Sequence, residues 1–331
     1  MLAARAAGHA ALGDPRAVAG LLDVLRRVGR PEQVTVLAAR AAGHAAIHDP
    51  GAIDGLLDAL RRAGADEHAA LLLARDPAGH AALGDPGAVA RLLGILRLTH
   101  QAGAAEQVTA LLARDPGGHA ALGDPGAVAW LLDELRRAGA QEQAAVLAAR
   151  AARHAAVGDP GAVARLLDEL PQAGAQEQAA VLVARDPAGH AALGDLYAVG
   201  HLLAALQRAG AQEQAAVLAA RAAGHAAVDD PYAVTDLLGM LQRAGADEQA
   251  AVLAARAAGH AALDYRDAAT RLLDELRRAG AEEQVSILID RLPAAGLFDL
   301  FREQDCHQVI YQFGREPDGT PAPSWGWDDL N

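Results

Sequence analysis

The chain has 331 residues, 52% apolar and 3% aromatic, with 29 basic and 42 acidic side chains, a formal charge of −13 and one cysteine. The apolar share excludes disorder, the acidity argues against a nucleic-acid surface, which needs clustered positive charge to displace counterions, and Cys306 alone makes no internal disulfide. About a quarter of the residues are alanine and every Lys/Arg position is arginine, so the interior is expected to be helices packed closely through small side chains.

From the N-terminus, the dipeptide His-Ala recurs at His9, His44, His80, His119, His154, His190, His225 and His260. The spacings are 35, 36, 39, 35, 36, 35 and 35 residues, so the unit is about 35 residues long and self-similarity defines the organisation. The 36-residue units carry Arg-Asp-Pro-Ala-Gly-His (Arg75 to His80, Arg185 to His190) where others have Arg-Ala-Ala-Gly-His. The 39-residue unit adds that residue and three more around Leu98 to Gln101. The array is expected over residues 1–292, and residues 293–331 form a separate cap and tail.

Each unit reads as two helices. In Asp159 to Leu170 the second helix opens with an aspartate at the N-cap and a proline in the first turn. Its Val163, Leu166, Leu167 and Leu170 fall at i, i+3, i+4 and i+7, one buried stripe. Such helices are expected to start near residues 14, 49, 85, 124, 159, 195, 230 and 264, and to stop at glycines such as Gly64, Gly139 and Gly280, where a left-handed residue closes the end. A Glu-Gln pair (Glu142-Gln143, Glu213-Gln214) then opens a longer, alanine-rich helix, its carboxylate at the positive end of the macrodipole. Helix pairs repeated in this way are expected to form an all-α, αα-hairpin solenoid of about eight repeats.

Local irregularities carry local expectations. Pro171 replaces an arginine and should end or kink its helix. In the last unit Asp264-Tyr265-Arg266-Asp267 replaces Asp229-Asp230-Pro231-Tyr232, which points to Asp264 as the cap. The last 34 residues hold six of the ten aromatics, Phe298, Phe301, Tyr311, Phe313, Trp325 and Trp327, as expected of a cap folded over the apolar end of the array. An exposed aromatic-acidic peptide at Trp325 to Asp329 is the alternative. Met1 enters within an alanine helix, at Leu2 to Arg5, without the Glu-Gln start of later units. That start reads either as a fragment of a longer protein or as an open docking end. No stretch approaches the roughly 18 apolar residues of a membrane span, and Met1 to Pro15 lacks a signal-peptide layout, so a cytoplasmic chain with no membrane partner is expected.

The turn Gly139-Ala140-Gln141-Glu142-Gln143-Ala144 resembles the Gly-x-x-Glu-x-Ala turn of tetratricopeptide repeats, with Leu131 and Leu202 at that family's large apolar position. Leu132 and Leu203 depart from it, standing where the family has a small residue. Ala10 to Val18 is similar to the junction of short HEAT-like repeats of bilin lyases and a di-iron hydroxylase. Either resemblance implies a curved, right-handed array that binds partners along one face. The unit is also similar to alanine- and arginine-rich tandem repeats of high-GC bacteria.

Several candidate sites follow. Equivalent histidines of adjacent units should stand about 8–10 Å apart, too far to share a zinc ion bound at about 2.0–2.1 Å, and they read as helix-end residues. His44 and His48, at i and i+4, lack a third ligand, and the His-Glu pairs of the di-iron enzymes do not occur. Cys306 has only the adjacent His307 as a base, and no Gly-rich phosphate loop is present. No metal, cofactor or catalytic residue is therefore expected. Arg40, Arg75, Arg114, Arg150, Arg185, Arg221 and Arg256 recur four or five residues before the histidines and are expected either to pair with Asp58, Asp133 and Asp168 or to be solvated.

The units differ most two residues beyond the Val163 position, about 200° around the helix from it and facing outward. That position holds Gly20, Gly55, Arg91, Trp130, Arg165, His201, Asp236 and Arg271, while the residue after the proline position becomes Tyr197 and Tyr232 late in the array. Trp, Tyr and Arg are the types enriched at binding hot spots. Arg91, Trp130, Arg165, Tyr197, His201, Tyr232, Asp236 and Arg271 are thus the candidate partner-binding residues of a noncatalytic scaffold for a protein or peptide. Two other readings stand beside it: the sensor repeat region of a larger signalling NTPase or effector protein, and a HEAT-like bilin lyase-type enzyme.

Overall fold

The computed structural model describes residues 7, 8, 10–99, 102–304, 310–316 and 318–323. Apart from one isolated antiparallel bridge between Arg315 and Pro321, the regular structure of these residues is helical. The chain divides into two compact units, residues 1–187 and 188–331.

The first unit contains α1 (Pro15–Arg27), α2 (Pro31–His44), α3 (Pro50–Arg62), α4 (Asp66–Leu73), α5 (Pro77–His80), α6 (Pro86–Leu98), α7 (Ala104–Ala113), α8 (Pro116–His119), α9 (Pro125–Arg137), α10 (Gln141–His154), α11 (Pro160–Gln172) and α12 (Gln176–Val183). The short α13 (Pro187–His190) follows. The second unit contains α14 (Leu196–Arg208), α15 (Gln212–His225), α16 (Pro231–Arg243), α17 (Asp247–His260), α18 (Arg266–Arg278), α19 (Glu282–Arg291) and α20 (Phe298–Arg302). Packing is local in sequence. In the first unit α1, α3, α6, α9 and α11 each lie against the next, and the alanine-rich helices form a second layer behind them. In the second unit α14, α16 and α18 form one layer and α15, α17 and α19 the other.

The front-layer helices are all 13 residues long. Seven begin at an aspartate whose carboxylate accepts first-turn amides, as Asp159 Oδ1 accepts Ala162 N at 3.0 Å. The eighth differs from the sequence expectation. Tyr265, not Asp264, is the N-cap of α18, in extended geometry and without a side-chain cap bond. The 35-residue repeat places Tyr265 at the cap position of Asp230, and the buried Leu272, Leu273 and Leu276 hold that register, so the cap cannot slide back to an aspartate. The far ends close at left-handed glycines: Gly139 lies at φ 75°, and Ala140 N reaches back to Leu135 O at 2.9 Å, the Schellman pattern. Pro171 neither shortens α11 nor removes that closure. Ala173 N still bonds Glu169 O at 3.0 Å and Ala175 N bonds Leu170 O at 2.9 Å, so the proline forfeits only its own amide in the last turn.

The alanine-rich helix is continuous in α2, α10, α15 and α17, and broken wherever Arg-Asp-Pro occurs. There the extra aspartate, Asp76, Asp115 or Asp186, turns left-handed at φ 53–58°. Asp76 Oδ1 then caps the short α5 through Gly79 N at 3.0 Å, and Asp115 caps α8 through Gly118 N at 3.0 Å. Aspartate tolerates this backbone because its side chain bonds locally, and the insertion is absorbed without displacing the neighbouring repeats.

The recurrent arginines correct another expectation. They form no ladder with Asp58, Asp133 and Asp168. Instead each donates to the backbone carbonyls that end the alanine-rich helix of the preceding repeat. Arg75 bonds Ala42 O and Ala45 O at 3.1 and 2.8 Å. Arg150 bonds Gly117 O and Ala120 O at 2.7 and 3.0 Å, and Arg256 bonds Ala223 O and Ala226 O at 2.8 and 2.7 Å. The series extends to Arg291 on Ala258 O and Ala261 O, both at 2.7 Å. Asp58 and Asp133 are taken by Arg61 and Arg136 of their own helices at 2.9 and 2.6 Å. The reason is electrostatic: the last carbonyls of a helix have no intrahelical donor and carry the negative end of its dipole, so they outcompete a carboxylate already paired.

The C-terminal segment closes the second unit. Leu300 and Phe301 are buried, Tyr311 meets Phe301 edge-on with ring centroids 5.0 Å apart, and Arg315 stands over the same ring at 5.4 Å. Arg277 on α18 ties it down through Gln304 at 2.5 Å. Trp325 and Trp327, with the proposed peptide between Trp325 and Asp329, lie outside the described residues, as does Leu2 to Arg5.

If the arginine clamp holds successive repeats together, Arg256→Ala should lower the unfolding free energy by about 2–4 kcal/mol, two charge-assisted bonds partly offset by solvent exposure. Arg256→Lys should restore less than half of it, because an ammonium cannot fork across two carbonyls. Urea unfolding followed by helical circular dichroism measures both.

Candidate functional site

The Val163 stripe and its equivalents face inward, so the residue two further on must face outward on the same helix. Trp130, Arg165, Tyr197, His201, Asp236 and Arg271 are exposed, while Arg91 and Tyr232 are half-buried. Trp130 keeps 42% of its surface in solvent.

In the first unit the candidates are brought together. Arg91 on α6 stands over the Trp130 ring of α9 at 5.7 Å and approaches Asp54 of α3 at 3.9 Å. Trp130 and Arg165 line one open groove of about 320 Å³ between α9 and α11, whose other walls are Gly126, Ala129, Asp133, Asp168, Glu169 and Gln172. In the second unit the candidates form pairs. Burial, then the nearby Asp236 and Asp230, push the Tyr197 hydroxyl above its ordinary range, and Arg271 stands over the Tyr232 ring at 5.3 Å. His201 sits one turn beyond Tyr197 on α14.

The pairs reveal a rule that the sequence reading missed. In three places, Gly51 with Arg91, Tyr197 with Asp236 and Tyr232 with Arg271, the second residue of one front-layer helix faces the sixth residue of the next. Where the second residue is Gly51, the arginine at the sixth position folds down until Arg91 Nη2 would stand 3.1 Å from an added Cβ. The signal was present in the repeats, had position two of each been compared with position six of its successor.

Glu169 is the electrostatic exception in the groove. Its Oε2 is buried without a hydrogen-bond partner. Burial holds its carboxyl above the ordinary glutamate range, Asp133 pushes the same way, and Arg136 and Arg137 oppose them. Asp58, by contrast, is held low by its bond to Arg62. Burial raises Asp54 despite Arg91.

The repeated histidines stand exposed at the last residue of their helices. His80 and His119 place Nδ1 at 2.8 Å from the carbonyls of Asp76 and Asp115. Among the described residues no three His, Cys, Asp or Glu side chains converge on a point that could hold a metal ion, and no helix is long and apolar enough to cross a membrane. His9, Cys306 and His307 lie outside the described residues. No known protein-family model matches this chain, and no curated protein matches its sequence.

The Glu169 carboxyl gives a pH signature. A carboxyl raised in the folded state holds its proton longer there than in the unfolded chain, so stability falls as pH rises from the ordinary glutamate value through the raised one. Glu169→Gln removes that loss. Its thermal midpoint should exceed wild type at pH 7, and the difference should shrink as pH falls and vanish at about pH 2.5, well below the ordinary glutamate value, where the wild-type carboxyl is protonated in both states.

Proposed function

We propose that this chain is a noncatalytic protein-binding scaffold, an αα-hairpin solenoid of about eight repeats that takes a protein or peptide partner along the outer face of its front-layer helices. The observation that carries the reading is the run Arg91, Trp130, Arg165 on three successively packed helices. It combines an exposed tryptophan with flanking arginines and an open groove, at positions the leucine stripe does not constrain. Large aromatic and arginine side chains in such settings supply most of the energy of protein interfaces. The resemblance to tetratricopeptide and HEAT-like repeats agrees with this use, and the all-helical, sequence-local packing supports a repeat architecture. The net charge of −13 favours a partner segment of positive charge.

The test is affinity capture from a host lysate with wild type and with an Arg91→Ala, Trp130→Ala, Arg165→Ala variant of unchanged helicity. Partners retained by wild type should fall at least tenfold with the variant. Recovery of the same proteins by both, or of none by either, contradicts the reading.

A further inference from the structure

The alanine-rich helices of the rear layer turn one side to solvent, and that of α10 differs from the others. On α10 the buried residues are Ala144, Leu147, Ala148, Ala151 and Ala152. Glu142, Ala145, Val146, Ala149 and Arg153 lie on the opposite side, at i, i+3, i+4, i+7 and i+11. All are exposed except Ala149, which is half-buried. Valine is a poor helix former and gains nothing from contact with water, yet Val146 keeps 46% of its surface in solvent, and Val36, Val217 and Val252 stand exposed at the same register of α2, α15 and α17. Arg153 is particular to α10. Its place is taken by Gly43, Gly224 and Gly259 in the other continuous alanine-rich helices, and a side chain started there would meet nothing within 4 Å, so the packing of the chain asks for neither residue. Among the described residues neither Glu142 nor Arg153 forms an ion pair within the chain.

We propose that this side of α10 is a twofold contact between two copies of the chain, with their α10 helices antiparallel. The spacing is self-complementary. The midpoint between Glu142 and Arg153 is also the midpoint between Val146 and Ala149, so a twofold axis at that point sets Glu142 against the partner's Arg153 and Val146 against the partner's Ala149, and the reverse. Each copy supplies half of two ion pairs that flank a small apolar centre, where alanines let the two backbones approach closely. The helix dipoles also oppose one another favourably. One helix pair covers less than the roughly 1,200 Å² that a stable interface buries, and the flanking helices extend it. α12, packed on one side of α10, exposes Ala180 and Val181. On the other side α7, whose Leu112 carbonyl accepts from Gln143 of α10 at 2.6 Å, exposes Thr109 and Ala113. The same axis lays α12 of one copy over α7 of the other, uncharged surface on uncharged surface. A net charge of −13 opposes contact between copies in general, and the matched acid and base on α10 make this side the exception.

The test is sedimentation equilibrium of the full chain at concentrations up to about 100 μM, the range of weak homodimers. Wild type should show a monomer–dimer equilibrium. Val146→Glu, which sets an acid beside the axis in both copies, should weaken it at least tenfold without loss of helicity, because the position is exposed. Arg153→Glu brings two acids face to face at each end of the contact, and Glu142→Arg brings two arginines, so each variant alone should be monomeric. Mixed in equal amounts, the two should form a heterodimer within about threefold of the wild-type affinity, because both ion pairs are restored between unlike copies. Simple loss of folding gives no such rescue, and Val146→Glu added to either member should abolish it. The Arg91→Ala, Trp130→Ala, Arg165→Ala variant of the front layer should dimerise as wild type does, so this inference and the partner-binding reading fail separately. A wild type that stays monomeric, a dimer indifferent to Val146→Glu, or a mixture without rescue overturns the proposal.

Discussion

Every repeat junction within the two units depends on one interaction, the guanidinium that bridges the carbonyl end of the preceding alanine-rich helix. A helix leaves its last carbonyls without donors and concentrates partial negative charge there. In a stacked array that end would be wedged against a neighbour and cut off from water, at a cost of about 1–3 kcal/mol for each unsatisfied group. One arginine per repeat removes the cost and fixes the offset between neighbours, because its two arms reach carbonyls 33 and 30 residues earlier. Alanine completes the arrangement: Ala144, Ala148, Ala151 and Ala152 of α10 are fully buried, and larger side chains there would push the guanidinium out of reach.

Because the rear layer carries this coupling, the front layer is free to vary on its outer side. Position six runs through glycine, arginine, tryptophan, histidine and aspartate while the leucine stripe behind it stays constant. The variation is still not independent from repeat to repeat, since Arg271 at position six meets Tyr232 at position two of the repeat before it and Trp130 meets Arg91 at position six. A tyrosine at position two therefore changes what its neighbour must do, as Tyr232 does in receiving Arg271. Contacts between neighbouring helices therefore recur along this face, and the α9–α11 groove is one place where a buried carboxylate oxygen, Glu169 Oε2, has no hydrogen-bond partner.

Much of the architecture was legible in the sequence because it is written in local chemistry. Aspartate followed by proline marks a helix start, a lone glycine marks its end, and leucines at helical spacing mark its buried side. What was misread depends on distances across repeats. The recurrent arginines read either as partners for aspartates or as solvated side chains, and neither reading reached the backbone carbonyls, which carry no letter in a sequence. Asp264 looked like a cap because its residue type suits one, whereas register is set by the buried Leu272 and Leu276 further along α18. Pro171 looked like a helix breaker, but in a last turn closed by other amides it costs one hydrogen bond.

The rear layer couples repeats and the outer face does not, and hydrogen–deuterium exchange tests that division most directly. Arg150→Ala should accelerate exchange in α8 and the turn after it, whose carbonyls Arg150 holds, while Trp130→Ala should leave the protection pattern of the first unit unchanged. If Trp130→Ala loosens the junction as much as Arg150→Ala, or if Arg150→Ala loosens nothing, the face is part of the fold's support and the clamp is not its foundation.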